Sequence, residues 1–174
     1  YITGGTMKAF VDTLDMALLQ MNQMPGQHFQ PYWAGWSINA ATSAPLYAIH
    51  HPVGDVKKYA ITTDPLTATT FSSYTNSGKP FASDAHWLVR TWTTGTTQGG
   101  SSGCGIFDAN NRLVGSLSGG EATCSNPRND YFMRLNRGWN AGSMTNQQLA
   151  HWLNPDNQSI QEMDGMDYYQ YKME

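Results

Sequence analysis

Charge is scarce in this chain. Asp, Glu, Lys and Arg together make 13% of its 174 residues, against about 25% in an ordinary soluble domain. With a net charge of −3 and no basic run, broad electrostatic attraction to nucleic acid or to an anionic membrane is excluded. No apolar stretch approaches the ~20 residues that span a bilayer. Cysteine occurs only at Cys104 and Cys124, too few for a structural zinc site and too far apart for a Cys-x-x-Cys redox pair. One disulfide, two free thiols and pairing outside the chain all remain open. Internal repeats, low-complexity tracts and a signal peptide are missing as well. The chain begins at Tyr1 rather than Met, which leads us to expect a fragment or a processed product.

What is present points to strands. Ser, Thr, Asn, Gln and Gly carry most of the polarity, a mix suited to a β-rich extracellular domain. The length allows one domain with a sizeable core, though all-β barrels often run to roughly 200–250 residues. Met16–Met21 predicts a short buried strand, and Gly35–Asn39, Leu46–His50, Val56–Ile61 and His86–Trp92 predict others. Gly105–Phe107, a turn at Asp108–Asn111 and Arg112–Leu117 have the form of a hairpin. Short strands at this spacing predict a barrel or sandwich. One helix is expected: Thr145–Gln148 has capping-box form, Leu149–Leu153 follows, and Asn154-Pro155 stops it. The acidic, tyrosine-rich tail after Pro155 is expected to be poorly ordered or to lead into a removed segment.

Chemistry concentrates in Gly99-Gly-Ser-Ser-Gly-Cys-Gly-Ile-Phe-Asp108. A serine nucleophile must stand exposed at a tight bend, which flanking glycines permit. Its own amide and that of the residue two before it must converge on a developing oxyanion. Here the serine is Ser102 and the amides are those of Gly100 and Ser102. A serine- and glycine-rich hairpin loop can carry the same letters without any chemistry, so the surroundings matter. Downstream lie Leu113-Val-Gly-Ser-Leu-Ser-Gly-Gly120, Cys124, Asp130-Tyr-Phe-Met-Arg134 and Trp139. Upstream lies Ile49-His-His-Pro-Val-Gly-Asp-Val-Lys-Lys58, and near the end Trp152-Leu-Asn-Pro155 and Met163-Asp-Gly165.

These blocks together resemble the lysyl endopeptidase family of bacterial trypsin-like serine proteases, over almost the whole chain. The resemblance implies an all-β, chymotrypsin-like double β-barrel with a C-terminal helix, of which this chain holds the end of the first barrel and the complete second barrel. The implied division is 1–25 for the last part of the first barrel, 26–144 for the second, 145–155 for the helix and 156–174 for the tail. It implies a secreted endopeptidase, working through an acyl-enzyme, that cleaves after basic residues, Lys or Arg, with no cofactor and no metal in its catalytic site.

Asp15-Met-Ala-Leu-Leu19 resembles the segment that carries the triad carboxylate in this fold, where a buried Asp accepts the imidazole Nδ1–H. The base is the difficulty. Chain order in this fold is His, Asp, Ser, yet His28, His50, His51, His86 and His151 all follow Asp15. Asp15, His50 or His51, and Ser102 stand in the subtilisin order, but the alternating helices of that scaffold are lacking, and His50-His51-Pro52 matches a family segment that is not the base. The catalytic His is therefore expected on a separate or cleaved N-terminal chain or segment, which would also cover strand edges left by an unclosed first barrel.

Asp130 matches the family's acidic residue in the pocket for a cationic side chain. Gly119 and Gly120 match the strand that pairs with substrate backbone, and Ser118 stands where the family has a His. Cys104 replaces a Ser two residues beyond the nucleophile. The rival to an active peptidase is an inactive homologue that uses the fold for adhesion or protein recognition.

Overall fold

The computed structural model describes residues 3–168. The chain runs β1 (Gly5–Val11), β2 (Met16–Met21), β3 (Tyr32–Trp33), β4 (Gly35–Ser37), β5 (Leu46–His50), β6 (Lys58–Thr62), β7 (Thr67–Thr69), β8 (Thr75–Asn76) and β9 (Lys79–Pro80). It continues through β10 (His86–Thr91), β11 (Gly105–Phe107), β12 (Arg112–Gly120), β13 (Arg128–Arg134), α1 (Leu135–Trp139), α2 (Ala150–Leu153), β14 (Glu162–Met163) and β15 (Met166–Asp167).

The main sheet has the order β6-β5-β11-β12-β13-β10-β7, with β4 parallel to β12 and β14 antiparallel to β4. It curls on itself. A bridge between Ile61 and Thr94 joins β6 to the chain leaving β10, with Ile61 N–H donating to the Thr94 carbonyl at 2.8 Å. Leu46, Ala48, Ala60, Trp87, Val89, Trp92, Ile106, Val114, Leu117 and Phe132 fill the interior.

β1 and β2 form a separate hairpin, paired from Gly5↔Met21 to Val11↔Met16. It packs on a second cluster that includes Met16, Trp36, Met133, Trp139 and Leu149. Successive residues of a strand point to opposite faces, so β13 serves both cores, Phe132 in the barrel and Met133 beneath the hairpin. Arg112 ties the end of the chain down, pairing with Glu162 at 2.7 Å and Asp164 at 2.6 Å.

Most strands fall where the sequence places them, and the β11–β12 hairpin turns as expected: Asp108 Oδ1 accepts the amides of Asn110 and Arg112 at 2.9 and 3.0 Å. Three expectations change. The Met16–Met21 strand is largely exposed, with Met16 its buried member. The C-terminal helix is broken: Thr145–Gln147 makes a 3-10 turn, Gln148 is extended at φ −125°, and only Ala150–Leu153 is α-helical. The capping box does not form: the Gln148 side-chain Nε2 donates to the Gly142 carbonyl at 2.5 Å, while its backbone N–H donates to the Thr145 carbonyl at 3.3 Å. The tail, finally, is partly ordered through β14 and β15; its last residues, 169–174, lie outside the described residues.

Candidate active site

One cavity of about 340 Å³ opens between the β1–β2 hairpin and the rim of the barrel. Asp15, Ser102, Ser118, Gly119, Gly120 and Asp130 all line it, with Phe71, Tyr74 and Phe81 forming an aromatic wall. Six of the seven positions singled out along the sequence thus line one cavity; the seventh, Gly100, is not among its lining residues, though its neighbours Gly99 and Ser102 are.

Asp15 closes a 3-10 turn, its amide donating to the Asp12 carbonyl at 3.0 Å. Its φ of 55° lies in the left-handed region, which Asp enters more readily than most residues. The carboxylate is half-buried and accepts from Asn76 Nδ2 at 3.3 Å, while the same amide group donates to the Asp12 carbonyl at 3.1 Å. Lys79 Nζ, at the start of β9, holds Asp12 at 2.8 Å. The β8–β9 hairpin therefore orients the turn that presents Asp15.

Ser102 is exposed at its bend, whereas Ser101 is 1% exposed. Of the two serines, only Ser102 can meet a substrate. Gly100 has φ 91°, a conformation in which a side chain would be strained. Among the described residues neither the Gly100 nor the Ser102 amide donates to a backbone carbonyl, so both are free to bind an oxyanion.

Asp130 is 1% exposed. Trp92 Nε1 and Thr97 Oγ1 donate to its Oδ2 at 2.6 and 2.5 Å. Burial pushes its carboxyl above the usual range, and these donors offset part of that. Gly120 lies against the carboxylate so closely that a Cβ there would collide with it. Gly119 faces the Phe71 ring, which stacks on Tyr131 at 4.1 Å. The β11 partners of β12 end at Ser116, which leaves residues 118–120 open on that side. Ser118 Oγ pairs with His86 Nε2 at 3.2 Å; burial lowers the His86 imidazole to about 4, so it is neutral at neutral pH.

Among the described residues no histidine lines the cavity. His50 is buried against Ser101, not Ser102, at 2.8 Å, and His51 bonds the Asp55 carbonyl at 3.1 Å, so the subtilisin-like grouping fails on geometry. Asn76, Trp92 and Thr97 were not foreseen; no local motif marks them. Among the described residues no group of three or more His, Cys, Asp or Glu is placed to hold a metal, and no helix is long and apolar enough to cross a membrane.

The family model for the lysyl endopeptidase C-terminal domain matches residues 1–133. The chain belongs to that family. It is 32% identical over 141 residues to a lysyl endopeptidase of Pseudomonas aeruginosa, covering 75% of this chain and 28% of the relative. The chain thus spans little more than a quarter of that protein's length. Among solved structures, it resembles the Rv3671c protease of M. tuberculosis. The active form matches with TM-score 0.52 and 17% identity over 75% of this chain and 53% of that one. The inactive form matches with TM-score 0.50 and 18% identity, over 75% and 61%. At such identities the likeness concerns the fold alone, which is that of a trypsin-like protease. Within the lysyl endopeptidase family, the cavity described above is the natural place to seek the chemistry.

Proposed function

We propose that this chain is the C-terminal part of the catalytic domain of an exported serine endopeptidase that cleaves after basic residues. The observation that carries it is the single cavity shared by Asp15, Ser102 and Asp130. Ser102 Oγ attacks the scissile carbonyl carbon and its proton passes to an imidazole supplied by an upstream segment or chain. Asp15 accepts that imidazole's other N–H, fixing its tautomer. The oxyanion lodges on the Gly100 and Ser102 amides, the proton then goes to the leaving amine, and water releases the acyl group by the reverse sequence. Asp130, buried in the cavity lining, receives a Lys or Arg side chain, whose cation would favour the ionised carboxylate; an apolar side chain would leave the carboxylate unpaired. The open strand at 118–120 pairs with substrate backbone.

A fluorophosphonate probe on the full-length protein that contains this chain tests the assignment. Labelling is expected in the parent, absent in Ser102→Ala, and slower in Asp15→Asn by about 10²-fold or more, the wrong tautomer being favoured. A folded parent that takes no label favours an inactive homologue that binds protein through this fold.

A further inference from the structure

The His50-His51-Pro52 run has no part in the reaction just described, yet its segment grips the nucleophile loop at two points. Gln98–Ser101 is a turn closed by the Ser101 amide on the Gln98 carbonyl at 3.0 Å, with Gly100 third in it at φ 91°. The middle peptide of a four-residue turn can face either way, and a left-handed glycine at the third position selects one of the two. Here the Gly99 carbonyl accepts from the Val53 amide at 2.7 Å. A trans peptide sets its C=O and N–H in opposite directions, so this bond turns the Gly100 N–H away from Val53. That N–H is one of the two oxyanion donors.

Val53 delivers its amide from φ 49°, ψ 26° while 71% exposed. A β-branched residue enters that region only at a cost, and nothing buries its side chain in return. Such strain recurs at functional sites. The second grip comes from the strand that leads into this turn. His50 Nδ1 meets Ser101 Oγ at 2.8 Å, both buried, and the same Oγ accepts the Gln98 amide at 3.2 Å. His50 Nε2 is buried without a hydrogen-bond partner among the described residues, so the contact with Ser101 is the one the ring is placed to make.

We infer that His50 and Val53 are positioning residues that hold the Gln98–Ser102 loop with its amides already turned toward the substrate carbonyl. The inference rests on the peptidase assignment. It is tested in the full-length enzyme with Ser101→Ala, His50→Phe and His50→Asn, using lysyl ester turnover, a peptidyl lysine aldehyde as oxyanion-forming inhibitor, and thermal melts. Ser101→Ala and His50→Phe are expected to lower kcat by about tenfold or more with KM within about twofold, since misplaced groups act on the transition state. Aldehyde affinity falls with kcat. His50→Asn, whose amide stands near the Nδ1 position, restores kcat to within about threefold. Folded Ser101→Ala and His50→Phe with parental kcat overturn the inference, as does an equal loss in KM and kcat. Should His50→Phe not fold, Ser101→Ala, one oxygen smaller, decides alone. A parent without turnover overturns the peptidase assignment and this inference with it; an active parent with unaffected variants overturns this inference only.

Discussion

Asp130 and His86 make opposite demands on pH. The Asp130 carboxyl is raised by burial, so folding favours its protonated form. Its contribution to stability is full below the ordinary carboxylate range and is lost as pH rises through the raised value. His86 is lowered from 6.5 to about 4; its contribution is full above 6.5 and is lost as pH falls toward 4. Melting curves of the full-length protein across this range should therefore separate the two. Asp130→Asn flattens the loss on the alkaline side, and His86→Gln flattens the acid limb between about 6.5 and 4. Asp130→Asn is also expected to cut kcat/KM on lysyl substrates by about 10²–10³-fold, the cost of removing one partner of a buried pair. A variant with parental lysine preference would move specificity elsewhere. Ser102 was legible in the sequence through its glycine-flanked run, and Asp15 and Asp130 through blocks that resemble the lysyl endopeptidase family; all three line one cavity. Asn76, Trp92 and Thr97 were not legible. They act across 61, 38 and 33 positions of chain, and an amide, an indole or a hydroxyl in a polar loop carries no local mark.

Among the elements, strands were easier to foresee than helices. Alternation and turn residues fix β5 and β11–β12 locally, and both appear at the expected places. The terminal helix is present but shorter than expected, Ala150–Leu153; its first turn is lost where the Gln148 side-chain Nε2 meets the Gly142 carbonyl, a tertiary contact that no spacing predicts. α1 escaped notice because Leu135–Trp139 makes little more than one turn, too short for periodicity to show. The nucleophile loop is the element most sensitive to backbone change. Gly100→Ala forces a side chain onto φ 91°, with its Cβ 3.1 Å from the Val53 nitrogen. It should cost about 1 kcal/mol or more in denaturant titration and lower kcat. The Arg112 clamp is a second test. Its carboxylate partners are Glu162 and Asp164, both substantially exposed, so Arg112→Ala is expected to cost about 1 kcal/mol. Amide exchange should accelerate at residues 162–167 while the barrel amides stay protected. Unchanged exchange there would mean that β14 and β15 hold without the clamp.

At the scale of the molecule, the β1–β2 hairpin presents Met7, Phe10, Leu19 and Met21 to solvent, an apolar surface that a soluble protein rarely leaves bare. Whether the upstream segment proposed to bring the imidazole covers these side chains is open to a direct test. Leu19→Glu in the full-length protein is expected to lower stability by about 2–4 kcal/mol, as for a charge placed in a core. A change within about 0.5 kcal/mol would show that this face stays wet and that the imidazole arrives by another route.

Cys104 and Cys124 are unbonded to each other, so no disulfide within the described residues staples the barrel. Within these residues its rigidity comes from packing and ladders. Chemical attack on sulfur has a fixed order too. Cys124 is exposed, whereas the Cys104 thiol is pushed up to about 12 by burial and then by the nearby Asp130 charge. Alkylating reagents need a thiolate and will mark the Cys124 loop first, leaving the sulfur two residues past Ser102 untouched.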